Sequence, residues 1–209
     1  NSLINSLIIA KNKLQNINFK MIIVDDNSDN YNLKKINQIL KKKNFEINIE
    51  NLNKNKFENF ISDKKNDDTF SNLASLLKCF WVAKNEAKDL ILFVEDDYLH
   101  NNSMIEETLL TYERFSSQLN SEIVLCPADY PFFYTTNKKT NILIGSHRHW
   151  QIIDKTLCTF LTSKIILDKY WENFIKNCEK RHDPFEKYLN EIYTKVYCLA
   201  PIPSLSVHF

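Results

Sequence analysis

The feature that most constrains this chain is a regular alternation of apolar runs and amphipathic helical segments up to Cys126. Short apolar runs at Phe19–Val24 and Leu90–Val94 are each followed at once by acidic residues. A continuously apolar run bounded by turn residues is typical of a strand buried in a parallel sheet. Strands that alternate with helices predict an α/β fold: a doubly wound, mostly parallel sheet flanked by helices, with right-handed crossovers.

The remaining elements are predicted from the spacing of apolar residues. They are helices over 3–16, 31–43, 70–86, 103–119, 163–177 and 184–194, strands over 45–49 and 122–126, and a loop with a short helix over 51–68. Neither a linker nor an internal repeat is found, so a single domain is predicted over residues 1–209. Because the first predicted element is a helix, we expect the sheet to lack its leading strand, which either lies in an unrecorded N-terminal segment or is absent.

Composition excludes several classes of protein. A net charge of +1 gives no field that would gather nucleic acid or an anionic membrane surface. Apolar runs stay well short of the ~20 residues that a membrane span requires. The five cysteines are scattered and form no C-x-x-C pair, which favours reduced thiols and a cytoplasmic location.

Two acidic clusters, Asp25-Asp26 and Glu95-Asp96-Asp97, follow predicted strands. Ligands of α/β sheets bind outside the carboxyl ends of the strands, where these clusters are expected. Crowded carboxylates repel one another, so a group of three indicates a nearby cation or hydrogen-bond donors. Helix capping is the alternative; it stays open for Asp25–Asp29 and is weaker for the second cluster, since a cap needs one carboxylate.

These residues resemble a known family. Ile22–Ser28 is similar to the "VDDGS" strand end of family 2 glycosyltransferases, with Asn27 at the usual glycine position. Asn tolerates positive φ better than most residues, so this difference is mild. Leu90–Asp97 resembles the "DXD" segment of the same enzymes, and His149–Ser163 and Pro203–His208 resemble segments of short bacterial and viral members. The resemblance implies the Rossmann-like GT-A fold.

The resemblance also implies an activity: metal-dependent transfer of a sugar, of the hexosyltransferase type, from a UDP- or GDP-sugar to an acceptor glycan or other hydroxyl-bearing molecule. Asp25 and Asp26 would contact the donor, with Asp26 on its base. Asp97 would bind the Mn²⁺ or Mg²⁺ that bridges the diphosphate, and Glu95 or Asp96 would hold the ribose or a metal-bound water. Hard divalent ions prefer carboxylate and phosphate oxygens, in agreement with these roles.

His208 is the second metal ligand that the resemblance implies, on the same ion as Asp97. A histidine in a tail is ordinarily a solvated side chain without a role. Here Val196–Leu199 is predicted as a strand, and Leu205 and Val207 alternate with polar residues as in a docked strand. Neutral imidazole suits Mn²⁺ better than Mg²⁺.

Asp183 is the predicted general base, with Glu186 as its substitute. Inverting transfer, the favoured course, needs a carboxylate that takes the proton of the acceptor hydroxyl. Asp183 precedes Pro184, so the alternative role is the N-cap of a helix. The family's base usually lies in an "ED" pair, which this segment lacks.

Three further residues are candidate ligand contacts. Arg148 is predicted to bind a donor phosphate, Trp150 to stack on a sugar, and Asp129 to line the acceptor pocket. The aromatic residues that follow Asp129 would suit a sugar face. A place for Trp150 in the core is an equally good interpretation of its segment.

Other functions fit less well. A receiver domain pairs its acidic residues across βαβ units of roughly 30 residues, whereas Asp25 and Asp96 are much farther apart. A sugar nucleotidyltransferase needs a glycine-rich phosphate loop, but Gly145 is the only glycine. A non-catalytic module that binds nucleotide sugars stays open.

Overall fold

The computed structural model describes residues 1–41, 45–64, 67–135 and 139–208. The helices in these ranges are α1 (Ser2–Lys13), α2 (Asn30–Leu40), α3 (Asp67–Glu86), α4 (Met104–Leu119), α5 (Lys164–Lys169), α6 (Trp171–Cys178) and α7 (Lys187–Tyr193). The strands are β1 (Lys20–Asp25), β2 (Glu46–Asn51), β3 (Leu90–Phe93), β4 (Tyr98–His100), β5 (Val124–Leu125), β6 (Ile142–Ile144), β7 (His149–Ile153), β8 (Phe160–Ser163), β9 (Cys198–Ile202) and β10 (Ser206–His208). None of the described helices is long and apolar enough to cross a membrane.

The α/β class is confirmed, and the elements up to β5 follow the predicted order. The helix predicted over 31–43 ends at Leu40, and residues 42 and 43 lie outside the described ranges. The segment 51–68 contains a 3₁₀ turn at Lys54–Phe57, and its residues 65 and 66 also lie outside. Between Pro127 and the helix predicted from 163, where the sequence showed no regular pattern, the described residues form three short strands, β6, β7 and β8.

The main sheet is mixed, so the prediction of a mostly parallel sheet is wrong. Its six strands lie in the order β3-β8-β5-β9-β7-β6, and β5–β9 is the parallel pair within it. β8, with four buried residues, lies antiparallel between β3 and β5. An apolar run indicates that both faces of a strand are covered but not the direction of its neighbours, which is why the sequence pattern failed here.

A separate parallel pair is formed by β1 and β2, in register from Lys20 opposite Glu46 to Asp25 opposite Asn51. Among the described strands, β1 pairs only with β2, and β3 only with β8. The apolar residues Met21–Val24 are only partly buried, which is less burial than the sequence pattern predicts.

The main sheet lies between two layers of helices. Neighbouring residues of one strand point to opposite faces, and the two apolar clusters divide them in this way. Leu161 and Leu199 pack in a cluster with α1 and α4, whereas Phe160 and Cys198 pack in a cluster with α3, α6 and α7. Phe160 also lies in a group of aromatic rings with Phe80, Phe93 and Phe174.

The predicted docked strand at the end of the chain is confirmed. β10 pairs antiparallel with β4, with Ser206 opposite His100 and His208 opposite Tyr98. Because β4 directly follows the second acidic cluster in sequence, this pairing brings the end of the chain to that cluster.

Candidate functional site

The turn between β3 and β4 carries Glu95, Asp96 and Asp97. Glu95 is half-buried, and its backbone N–H donates to Thr159 Oγ1 at 3.0 Å, while Asp96 and Asp97 are exposed. Burial and, in decreasing order, the charges of Asp97, Glu186 and Asp96 together raise the pKa of Glu95 to about 7. These three carboxyl groups are therefore close enough to Glu95 to disfavour its charged form.

Glu186 joins this group from a distant part of the sequence. It is 7% exposed, immediately precedes α7, and its Oε1 lies 3.9 Å from the Cys158 thiol. Burial raises the pKa of its carboxyl. Asp183 is exposed, and α7 begins only at Lys187, so the alternative role of Asp183 as N-cap is wrong.

His208 lies beside Asp97. Its Nε2 is 3.1 Å from Asp97 Oδ2, and its ring packs edge-on against Tyr98 with the ring centroids 5.1 Å apart. Both side chains of the His208–Asp97 pair are about half-exposed, so a ligand can reach them. The structure thus brings together the two residues that the sequence predicts as metal ligands.

The separation of these two atoms suits a metal ion. Two ligands at right angles on an octahedral ion, each about 2.1 Å from it, lie about 3 Å apart. No group of three or more His, Cys, Asp or Glu side chains that could hold a metal is found among the described residues. Among the described residues, Asp97 and His208 could therefore supply two of the ligands of a metal ion.

An aromatic surface adjoins the acidic turn. The hydroxyl groups of Tyr98 and Tyr130 form a buried hydrogen bond, and burial, reinforced by the charge of Glu95, raises the pKa of both. The Tyr130 ring stacks on Phe132 at 5.3 Å, and Phe132 and Tyr134 are 39% and 59% exposed. These rings lead from the acidic cluster to the surface.

Asp129 lies at the edge of this aromatic surface. It accepts hydrogen bonds from the Tyr134 hydroxyl and, at 3.0 Å, from Gln151 Nε2. Burial raises the pKa of its carboxyl. Asp129 is therefore accessible only in part and already has two hydrogen-bond partners.

The first acidic cluster has local partners. Asp25 is buried, and its carboxylate accepts a hydrogen bond of 3.2 Å from the backbone N–H of Ser28. Asp26 forms an ion pair with Lys54 at 3.0 Å. Asn27 has a φ of 57°, as its place at a glycine position predicts. Asp29 caps α2, so the capping interpretation holds for that residue.

Trp150 and Arg148 have other partners than predicted. Trp150 is completely buried, and its Nε1 donates to Glu107 at 3.3 Å, so its ring is not available to an acceptor. The core interpretation of Trp150 is the correct one. The Arg148 guanidinium donates to the main-chain oxygen of Pro203 at 2.8 Å rather than projecting freely towards a phosphate.

No sequence pattern pointed to three of the residues that shape the site. Thr159, Tyr98 and Glu107 act through partners that are far away in sequence. No short sequence motif predicts a hydrogen bond between residues so far apart in the chain. Only the strand order of the main sheet brings Thr159 to the acidic turn.

Comparisons of the chain with protein-family models and with curated proteins give no match. One fold can carry many unrelated activities, so function must be inferred from the site itself.

Proposed function

We propose that this chain is a metal-dependent glycosyltransferase of the GT-A type, which transfers a sugar from a UDP- or GDP-sugar to an acceptor hydroxyl with inversion. One observation carries the proposal: Glu95, Asp96, Asp97, Glu186 and His208 meet at one end of β3. Glu186 is buried and Glu95 partly buried, and holding such carboxyl groups near other carboxylates destabilises a fold. A cluster of this kind is therefore better explained by a ligand than by packing.

Asp97 and His208 are proposed to hold the donor through a divalent ion. When bound, Mn²⁺ or Mg²⁺ would neutralise negative charge on the diphosphate. Asp96 is exposed beside Asp97 and is proposed to contact the ribose or a water. Asp25 and Asp26 remain the proposed contacts to the donor, with Asp26 on its base, in which case Lys54 would be shared between Asp26 and the donor.

Glu186 is proposed as the general base in preference to Asp183. An effective general base has a pKa near the working pH and lies in the site. Glu186 lies in the site, since its charge contributes to the raised pKa of Glu95, and burial raises its own pKa towards the working pH. Its carboxylate would take the proton of the acceptor hydroxyl as that oxygen bonds to the anomeric carbon. The nucleoside diphosphate would leave with the electron pair of the broken C–O bond.

The acceptor is proposed to lie on the aromatic surface beside the cluster. Phe132 and Tyr134 offer exposed rings to the apolar face of a sugar, and Asp129 offers a hydrogen-bond acceptor at their edge. An acceptor glycan fits this combination of rings and polar groups.

Release of UDP or GDP from a panel of nucleotide sugars, with Mn²⁺ or with a chelator, tests the proposal. We expect metal-dependent release, which Glu186→Gln suppresses and Asp89→Asn, an exposed site at the other end of β3, leaves unchanged. Nucleotide binding without release would favour the non-catalytic binding module. Absence of both binding and release across the panel would reject the glycosyltransferase.

A further inference from the structure

Glu107 is a buried carboxylate that organises the turn between β6 and β7. It is 1% exposed and accepts the backbone N–H groups of His147, at 2.9 Å, and Arg148, at 3.1 Å. It also accepts from His147 Nδ1 at 3.0 Å, Thr111 Oγ1 at 3.2 Å and Trp150 Nε1 at 3.3 Å. A carboxylate in the core is tolerated only when its oxygens are satisfied in this way.

The turn itself has little freedom. A Cβ at Gly145, the chain's only glycine, would lie 2.5 Å from the Trp150 ring and 2.8 Å from Thr111 Oγ1. Thr111 Oγ1 also accepts the backbone N–H of Ser146, and Arg114 donates to the Gly145 oxygen. The side chains of α4 therefore fix the backbone from which Arg148 projects.

Arg148 connects this turn to the last strand. Its Nη1 donates to the main-chain oxygens of Pro203, at 2.8 Å, and Ser204, at 3.5 Å. The Ser204 hydroxyl in turn donates to the oxygen of Ser206, the first residue of β10, at 2.6 Å. These hydrogen bonds therefore connect Glu107, through Arg148 and Ser204, to β10, the strand that carries His208.

β10 needs such support. It has three residues, pairs with β4 and, through an isolated bridge at Ser206, with Ala128, and leaves Val207 59% exposed. Short two-stranded pairs are marginal without further packing. We infer that Glu107 and Arg148 are positioning residues, which hold residues 203–204 so that His208 stays beside Asp97. The inference rests on the proposed function for its consequence, metal binding, but not for the strand placement itself.

The experiment uses the full chain with Arg148→Ala, the conservative Arg148→Lys, Glu107→Gln, and Arg181→Ala as a control at an exposed arginine. Mn²⁺ affinity is measured from the paramagnetic resonance of free Mn²⁺, and hydrogen exchange is measured for the amides of β10. We expect Arg148→Ala and Glu107→Gln to weaken Mn²⁺ binding roughly tenfold or more, as losses of outer partners of metal ligands do. Exchange should accelerate in β10 but not in β5 or β9.

Arg148→Lys should retain part of the affinity that Arg148→Ala loses, because lysine keeps one charged donor, and Arg181→Ala should change neither measurement. Unchanged exchange in β10 of Arg148→Ala would overturn the inference, and so would equal acceleration across the whole sheet. If the parent protein binds no Mn²⁺, the metal site of the proposed function fails, whereas the exchange measurement still decides the role of Arg148.

Discussion

His208 Nε2 lies 3.1 Å from Asp97 Oδ2, although 111 positions separate the two residues in the sequence. The contact follows from the antiparallel pairing of β10 with β4, which places His208 opposite Tyr98, next to Asp97. The two side chains are 42% and 50% exposed, so their interaction with each other contributes little to stability. The pair is therefore open to a ligand, as the proposed metal site requires.

Asp97→Asn is expected to abolish metal-dependent nucleotide binding while the fold survives. The amide keeps the shape of the side chain but loses the charge that a hard divalent ion needs. Titration of UDP and GDP in Mn²⁺ should show a loss of at least about tenfold, equivalent to 1.4 kcal/mol. Asp89→Asn is the matched control at an exposed position. Equal affinity of Asp97→Asn and the parent would remove Asp97 from the metal site.

Glu186→Gln is expected to reduce turnover strongly and leave donor affinity nearly unchanged, because a general base acts only in the transition state. Asp183→Asn should have a small effect on both, since Asp183 is exposed and Glu186 is the carboxyl that adjoins Glu95. Initial rates and donor titrations of the two variants, side by side, check this. The reverse ranking would restore Asp183 as the base.

Turnover should also fall at acid pH, because protonation of Glu186 would remove the general base. A general base must be ionised, and burial raises the pKa of this carboxyl above its ordinary value of 4.5. Turnover should therefore decline as pH falls through that raised pKa, at a higher pH than for an exposed glutamate. A pH profile of kcat, measured with donor at saturation, would show this, and a profile flat down to pH 4.5 would contradict it.

The sequence predicted local structure better than sheet topology. Periodicity identified α3 and α4 because each buries one continuous stripe, of which Leu73, Leu77 and Phe80 are examples. It could not identify β8, since Phe160–Ser163 is buried on both faces and too short for a periodic signal. β8 runs antiparallel to both β3 and β5, which makes the main sheet mixed. Local sequence patterns do not report strand direction, so they could not exclude a parallel sheet.

The site was predicted in part for a similar reason. Glu95, Asp96 and Asp97 form one contiguous cluster that follows a strand, and the position of such a cluster is a local property. Trp150 was ambiguous, because a ring in a strand can face either a ligand or the core, and only its contact with Glu107 in α4 decides between them. Contacts between residues that are far apart in the sequence cannot be predicted from residue spacing.

Glu95→Gln is expected to stabilise the fold at neutral and higher pH. The pKa of Glu95 rises from 4.5 to about 7 on folding, so the folded state binds the proton more tightly than the unfolded state. The free energy of unfolding of the parent therefore falls as pH rises from 4.5 to 7. At about 1.4 kcal/mol per pKa unit the loss is at most about 3 kcal/mol. Urea unfolding in chelator at pH 8 should show the variant to be the more stable protein; equal stability would contradict the prediction.

The last prediction concerns His100, a 7% exposed imidazole whose Nδ1 lies 2.8 Å from the Ser206 hydroxyl. Burial lowers the pKa of His100 from 6.5 to about 4, so the unfolded state binds the proton more tightly than the folded state. The stability that this group contributes is fully present above pH 6.5 and is lost as pH falls towards 4, by at most about 3 kcal/mol. This dependence is opposite in sign to that of Glu95 and covers nearly the same pH range, so the two partly cancel in the parent. The single variants separate them: Glu95→Gln should lose stability steeply between pH 6.5 and 4.5, whereas His100→Asn should gain it. Urea unfolding of both variants and the parent across this range checks the signs, and parallel curves for all three proteins would refute the assignment.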